Sequence, residues 1–287
     1  MKPLRTRLHE ARDRLGIAWE VLERDYLLSW VLAGIEQTDP LRETLVFKGG
    51  TALKKCYFGD YRFSLDLDFS GTEGVPTGRA MDSAMREVCT MAVHLLDAYA
   101  PVDIVCERYT ERAPHPGGQE AFTVRARFPW QRQAHTRVMV EVSVDEPVLR
   151  PAPRRAVIHG YGERLQAEPR VYALPEIVAE KLRAILQHIE TLQNRGWSRS
   201  RARDYYDLWR ILRAYKDRMD LAAFASLLEE KCAVRQVSFK RPDDFFQETM
   251  LAYVERTWEQ SLGPLVPGLP SYDTVIRELR PQIEDLL

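Results

Sequence analysis

The chain has 287 residues, of which 45% are hydrophobic and 29% are charged, and its formal net charge at pH 7 is −1. These values are ordinary for a soluble globular protein of one large or two small domains, and the near-neutral balance gives no overall sign of nucleic-acid binding. No run of about 18 apolar residues is present, which excludes a membrane-spanning helix.

The cysteines and the N-terminal segment bear on the cellular compartment. Cys56, Cys89, Cys106 and Cys232 are scattered without a CxxC pair, a pattern that favours free thiols in a reducing compartment over a disulfide framework or a zinc site. The segment MKPLRTRLHEARDRLG is charged throughout and lacks the apolar core of a signal peptide. We therefore expect a cytoplasmic protein with no membrane partner.

The first half of the chain predicts a mixed α/β domain. Apolar residues recur at helical spacing from Ile17 to about residue 36, and apolar–polar alternation predicts strands further on. In chain order, the predicted elements are a helix at 17–36, a strand at 44–47, a short helix at 51–57, a strand at 62–69, a helix at about 79–99, and strands at 102–109, 121–128 and 136–145. The segment 113–120 is predicted as a hairpin-type loop.

Prolines mark a change of pattern near residue 150. Pro147, Pro151 and Pro153, with basic neighbours, predict a linker, and we expect domains at 1–150 and 151–287. After the linker the apolar spacing becomes helical, and Pro175 stands at the start of a helix, where proline is tolerated. The predicted helices cover 175–193, 201–216, 220–232, 242–262 and 271–286.

The predicted strand at 62–69 carries the clearest chemical signal. Its residues alternate between polar and apolar, so the polar ones, Arg62, Ser64, Asp66 and Asp68, share one face. Aspartate is disfavoured in strands, and carboxylate oxygens are the natural ligands of Mg²⁺. Asp66 and Asp68 are therefore predicted to bind Mg²⁺ or Mn²⁺, with Ser64 lining the same pocket. The plainer alternative is a half-exposed strand with solvated acids.

A glycine pair precedes this strand. Gly49 and Gly50 follow a short apolar run, and glycine lets backbone N–H groups approach an anion closely. Thr51 adds a hydroxyl donor, and Lys48 and Arg62 flank the acids with positive charge. Together with the aspartates, the pattern predicts a site that binds the phosphates of an NTP for phosphoryl or nucleotidyl transfer. The alternative is an ordinary tight turn.

A third acid is predicted on the strand at 136–145. Glu141 shares a face with Ser143 and Asp145, opposite three valines. We expect Glu141 to complete the set of metal ligands, and the alternative is an acid on the solvent side of an ordinary strand.

The segment from Arg195 to Arg218 contains eight basic residues and three acids. Such a segment is suited to following an RNA backbone, because phosphate neutralisation supplies most sequence-independent affinity. The alternative is a solvated helix face whose charges form ion pairs within the helix.

Three segments resemble the AbiEii toxin family, which includes the MenT-type toxins. The first is KGGTALKKCYFGDYRFSLDLDFS, which begins at Lys48, and the others are LPEIVAEKLRA at 174–184 and RARDYYDL at 201–208. The resemblance spans roughly residues 20–215. It implies an α+β fold, with a nucleotidyltransferase-like mixed sheet and helices followed by a helical C-terminal domain. It also implies a toxin of a bacterial toxin–antitoxin or abortive-infection system.

The resemblance assigns further residues and partners. It implies that Lys181 and Asp204 are catalytic alongside Asp66 and Asp68, whereas Asp207 has a structural role. It implies a Mg²⁺-dependent transfer of nucleotides from an NTP to RNA, with the 3′ end of tRNA as the acceptor, which would block translation. The implied partner is a cognate antitoxin, often a winged-helix transcriptional regulator.

Two other functions stay open. A protein of the same fold can nucleotidylate a small molecule or a protein side chain, or it can be a catalytically silent RNA- or protein-binding module. The basic segment favours RNA over the first of these, and the intact pair of Asp66 and Asp68 argues against the second.

Overall fold

Five strands form one mixed sheet in the first part of the chain, in the order β1-β2-β5-β4-β3. The computed structural model describes residues 1–110, 119–196 and 200–287. Within it, β2 runs parallel to β5 and the other neighbouring pairs are antiparallel. The strands are β1 (Leu45–Lys48), β2 (Asp66–Gly71), β3 (Asp103–Arg108), β4 (Glu120–Arg127) and β5 (Thr136–Ser143). The predicted mixed sheet is confirmed, while most of the predicted loop at 113–120 lies outside the described residues.

Helices cover one face of this sheet. The helix α2 is buried almost all round, including its charged side chains Glu23, Asp25 and Glu36. It contacts β5, while α5 contacts β3 and β4. The helices of this part are α1 (Leu4–Leu15), α2 (Trp19–Glu36), α3 (Asp39–Thr44), α4 (Gly49–Ala52), which continues into a π-helical turn (Leu53–Tyr57), and α5 (Gly78–Asp97). The helices α1 and α3 were not predicted, because α1 buries little more than Leu4, Leu8 and Ala11 among many charges.

The strand predicted at 62–69 begins later than expected. β2 starts at Asp66, so Arg62 and Ser64 do not share a strand face with the aspartates, and both are buried instead. The physical reason is that β1 ends at Lys48, opposite Asp68, which leaves residues before Asp66 without a ladder partner on that side.

The chain divides into two compact units, Met1–Tyr172 and Ala173–Leu287. The segment 151–172, which follows the predicted linker, is hydrogen-bonded within the first unit. Phe47 N–H donates to Arg170 O at 2.8 Å, Tyr172 N–H donates to Phe47 O at 2.9 Å, and Ile158 N–H donates to Lys55 O at 2.7 Å. These bonds place the segment beside β1 and the π-helical turn.

The second unit is helical. Lys231 and Glu176 form an ion pair of 2.8 Å in its interior, with both side chains fully buried. Its helices are α6 (Leu174–Arg195), α7 (Ala202–Tyr215), α8 (Phe224–Val234), α9 (Glu248–Leu262) and α10 (Tyr272–Glu284). The helix predicted at 242–262 is a 3₁₀ turn (Pro242–Phe246) followed by α9. In the ranges that the structure describes, no helix combines the length and the hydropathy that a bilayer crossing needs.

Candidate active site

Asp66 and Asp68 lie on the same face of β2, near the start of the strand. Leu67 between them is fully buried on the covered face, whereas both aspartates are partly exposed. In the register of the sheet, Asp68 is opposite Lys48 on β1 and opposite Glu141 on β5, and Asp66 is opposite Met139. Register partners point to the same face, so the sheet places three carboxylates at neighbouring positions of its open face.

The chemistry of these donors suits a divalent cation held through two carboxylates. Mg²⁺ is commonly bound by one or two carboxylates together with substrate phosphates, and the partly exposed pair on β2 meets that description. Across the described ranges, no three or more His, Cys, Asp or Glu side chains are arranged so that they hold a metal ion. The role of Glu141 as a third ligand therefore stays a prediction.

The glycine pair brings backbone into contact with the site side chains. Gly49 has φ +76°, a left-handed conformation that L side chains rarely adopt. A Cβ on Gly49 would overlap Asp68 Oδ2 and would lie 3.2 Å from Asp68 Cγ, and a Cβ on Gly50 would overlap the Arg62 guanidinium. Gly49 is favoured both by its positive φ and by the position of Asp68, whereas a side chain at position 50 would displace the Arg62 guanidinium.

Thr51 positions the first aspartate. Its hydroxyl is fully buried and donates to the backbone carbonyl of Asp66 at 2.5 Å. This bond connects α4, which begins with the glycine pair, to the first residue of β2. The contact of Thr51 with a phosphate, which the sequence predicts, stays a prediction.

Lys48 has a buried ion-pair partner that sequence reasoning missed. Lys48 Nζ lies 2.7 Å from Glu146 Oε2, both side chains are almost fully buried, and the ammonium is 5.7 Å from the centroid of the Tyr172 ring. Glu146 follows the last strand by only three residues, and nothing in the local sequence connects it to Lys48, 98 positions earlier. Arg62 is buried as well and donates to Phe63 O at 3.3 Å.

In the second unit, the structure brings Lys181 together with both aspartates of the third segment. Lys181 Nζ on α6 lies 3.0 Å from Asp204 Oδ1 and 2.6 Å from Asp207 Oδ2 on α7, and Asp207 is fully buried. Arg201 also pairs with Asp204 at 2.9 Å. Burial raises the pKa of Asp204, but the charges of Lys181 and Arg201 outweigh this, so its pKa lies well below the usual value. Lys181 is therefore held between two carboxylates, of which Asp204 is kept ionised.

The basic segment 195–218 is neutralised in part by ion pairs within its own unit. Arg199 lies outside the described residues. Other basic residues of the segment form ion pairs, which are Arg201 with Asp204 (2.9 Å), Arg213 with Glu278 (3.2 Å) and Lys216 with Asp285 (2.6 Å). Two of these partners lie on α10 and near its end rather than on α7. RNA binding by the segment stays a prediction.

A surface cavity of about 590 Å³ lies elsewhere in the first unit. Charged side chains dominate its lining, with Arg154 bridging Glu36 and Glu43 at 3.1 Å each. None of the predicted site residues lines it, so the cavity is separate from the candidate active site.

Comparison with known proteins agrees with this geometry. A family model described as the nucleotidyl transferase AbiEii toxin of type IV toxin–antitoxin systems matches residues 30–286. The fold is similar to that of MenT4, a nucleotidyltransferase toxin from Mycobacterium tuberculosis H37Rv, with a TM-score of 0.62 and 22% identity over 94% of this chain and 84% of that one. No curated protein matches the sequence. At this identity the structural likeness shows the fold, and the family match shows the class of enzyme.

Proposed function

The chain belongs to the AbiEii family of nucleotidyltransferase toxins, and from this premise we propose that it transfers nucleotides from an NTP to RNA in a reaction that depends on Mg²⁺ or Mn²⁺. The acceptor that the resemblance implies is the 3′ end of tRNA. Blocking that end would prevent aminoacylation and stop translation.

The observation that carries the proposal is the pair Asp66 and Asp68 on the open face of β2. Both carboxylates are partly exposed on an otherwise well-packed strand, and Gly49 provides the space that Asp68 occupies. Asp66 and Asp68 would hold the divalent ion, which neutralises phosphate charge and orients the reacting groups when bound. The Thr51 hydroxyl keeps Asp66 in place through the backbone.

The cations of the first unit suit phosphate binding to different degrees. Lys48 and Arg62 are buried beside the glycine pair, where fixed positive charge can stabilise a developing phosphate charge. The ion pair with Glu146 offsets part of the Lys48 charge. We propose that Arg62, Lys48 and the backbone of Gly49 and Gly50 contribute to phosphate binding.

Lys181 and Asp204 stay proposed catalytic residues because of the family resemblance. In their own unit, two carboxylates fix the position of the Lys181 ammonium. A lysine held in this way acts as a compact point charge, which suits contact with phosphate groups.

A toxin of this family implies an antitoxin partner, and we propose a winged-helix transcriptional regulator in that role. The acceptor proposal rests on the family resemblance, with support from the basic segment 195–218, three of whose cations are ion-paired. Nucleotidyl transfer to a protein or a small molecule is the alternative that the experiment must separate.

The test uses the purified protein with total tRNA, Mg²⁺ and each labelled NTP in turn. We expect label on tRNA with at least one NTP, loss of label with EDTA, and loss by at least about 100-fold in Asp66→Asn, since an amide is a weaker metal ligand than a carboxylate. Asp97→Asn removes the same charge from an exposed position on α5 and should leave the activity unchanged. Label on the protein or on no acceptor, or equal loss in both variants, would contradict the proposal.

A further inference from the structure

The open face of the sheet carries a second group of charges beside the aspartates. Arg125 on β4 is directly opposite Arg137 on β5. Their strand neighbours Val124 and Val138 are buried on the covered face, so alternation puts both arginines on the face of Asp66 and Asp68. Arg137 is exposed and Arg125 is partly exposed.

The register fixes where this arginine pair lies relative to Asp66. Asp66 is opposite Met139, and Arg137 precedes Met139 by two residues. With a rise of about 3.3 Å per residue and about 4.8 Å between strands, the Cα atom of Arg137 lies roughly 8 Å from that of Asp66, and Arg125 lies one strand further away. Both distances are within the reach of a substrate that extends from the aspartates.

Among the described residues, no acid lies directly opposite either arginine in the register of the sheet, since Arg125 faces Val105 and Arg137. Like charges directly opposite each other on a sheet are destabilising, and neither arginine forms an ion pair or a side-chain hydrogen bond within the described ranges. The next arginine on the same face, Arg127, does have one, since it pairs with its register partner Asp103. The sheet therefore neutralises Arg127 and leaves Arg125 and Arg137 available for an anion from outside.

The part of the hairpin nearest the loop between β4 and β5 adds positive charge, whereas the acids Glu120 and Glu141 lie towards its other end. From Ala121 to Val140 the chain has four arginines and neither aspartate nor glutamate. Arg132 and His135 are exposed in the loop between β4 and β5. Glu23 of α2 does contact the hairpin, but it accepts hydrogen bonds from Trp130 and Thr136 on the covered side. The open side of the hairpin near the arginine pair is therefore basic.

The order of the strands separates this pair from the phosphate-binding turn. β1 flanks β2 on one side, and the glycine pair that follows β1 lies next to Arg62. β5 and then β4 lie on the other side of β2. If the triphosphate occupies the glycine side of the aspartates, the acceptor must approach from another direction, because attack on phosphorus is in line with the leaving group. The arginine pair lies on the other side of β2 from the glycine pair, on β5 and β4.

We propose that Arg125 and Arg137 form a subsite that binds the phosphodiester backbone of the acceptor polynucleotide next to its reacting end. The planar fork of arginine matches phosphate geometry and is suited to nucleic-acid backbones. The inference rests on the proposed function, since it assumes transfer to a polynucleotide, and it assigns residues to acceptor binding that lie outside the three segments resembling the family.

The experiment compares steady-state kinetics of the wild-type protein with the double variant Arg125→Gln/Arg137→Gln. We expect the KM for tRNA to rise about tenfold or more, with kcat and the KM for the NTP unchanged within about twofold. The slope of log(kcat/KM) for tRNA against log[salt] should become shallower by about 1.4, because each neutralised phosphate of a single strand contributes about 0.7 to that slope. The variant Arg125→Lys/Arg137→Lys should recover part of the affinity and the full salt slope.

The matched control is Arg79→Gln/Arg86→Gln, which removes the same charge from two exposed positions of α5, the helix on the covered side of the sheet. It should change neither KM. Thermal unfolding adds a readout of structural effects, because removing a like-charge pair should leave Tm unchanged or raise it. A lowered Tm with unchanged salt slope would overturn the subsite.

Two further outcomes are decisive. A rise in the KM for the NTP instead of tRNA would overturn the proposal and place the triphosphate at the arginine pair. If the wild-type protein labels no RNA, the proposed function fails, and binding of a fluorescent single-stranded RNA followed by anisotropy then decides the subsite by itself. Weaker binding by the glutamine variant than by the control would support the subsite, and equal binding would overturn it.

Discussion

Replacement of Gly49 by alanine tests whether the placement of Asp68 limits the reaction. A Cβ at this position would overlap Asp68 Oδ2 and would lie 3.2 Å from Asp68 Cβ and Cγ. To restore an ordinary contact of about 3.5 Å, the carboxylate must withdraw by about 1 Å. A displacement of about 1 Å among the reacting groups of an enzyme can lower the rate by about 100-fold. We therefore expect the rate of nucleotidyl transfer by Gly49→Ala to fall about 100-fold.

The stability of the variant should change much less than its activity. Alanine in the left-handed conformation costs about 1–2 kcal/mol, and Asp68 is partly exposed, so its side chain can swing away without filling a packed space. Gly78→Ala is the matched control, because Gly78 also has a positive φ, +55°, but a Cβ there meets no atom within 4 Å. Both variants should lose about 1–2 kcal/mol in urea unfolding, and Gly78→Ala should keep its activity.

Transfer activity of the two variants is measured with labelled NTP and tRNA at saturating Mg²⁺. Wild-type activity in Gly49→Ala would refute the reasoning, because Asp68 would then tolerate the displacement. An equal loss of activity in Gly78→Ala would refute it in another way, since backbone strain rather than the position of Asp68 would be the cause.

Two predictions concern buried charges of the first unit. Lys55→Met leaves Asp25 buried without its ion-pair partner at 2.7 Å, so the free energy of unfolding should fall by about 3–5 kcal/mol. In urea unfolding, the double variant Lys55→Met/Asp25→Leu should recover most of this loss. A double variant as unstable as the single one would contradict the prediction. Burial raises the pKa of Glu163, but hydrogen bonds from His159 and Arg7 outweigh it and hold the pKa at about 2. Because this is below the usual 4.5, the stabilisation is complete above pH 4.5 and is lost as pH falls towards 2. Glu163→Gln should therefore be less stable than wild type by about 3 kcal/mol at pH 7, and a difference that persists at pH 2 would contradict the assignment.

The strand that carries the proposed metal ligands could be predicted from the sequence because its signal is local. Alternation of Leu67 and Phe69 with Asp66 and Asp68 already separates a covered face from an open one, and the structure buries the two apolar residues. The glycine pair is equally local, since Gly49 needs a positive φ. The start of β2 was misplaced because alternation also continues through 62–65, where no strand pairs on the β1 side.

Other features depend on contacts between distant residues and could not be predicted. The partner of Lys48 is Glu146, and the partners of Arg213 and Lys216 are acids of the last helix and the residues after it. Charge density along the chain indicated a surface for RNA in 195–218, but the fold brings the neutralising acids from elsewhere. The arginine pair on β4 and β5 was missed for the same reason, because only the register shows that the two side chains are neighbours.

The buried ion pairs near Gly49 and Gly50 are better explained by the groups that they hold in position than by a contribution to the free energy of unfolding. A buried pair gives little net free energy compared with apolar residues of similar volume, yet Lys55 pairs with Asp25 in the turn that directly follows Gly49 and Thr51. That turn is π-helical, a rare conformation that occurs frequently at functional sites. If Lys55 holds the turn in contact with α2, the Thr51 hydroxyl stays hydrogen-bonded to the Asp66 carbonyl, and the backbone of Gly49 stays in contact with Asp68. A pair of apolar residues would supply comparable stability, but it would not fix the direction of the turn, since apolar contacts are non-directional.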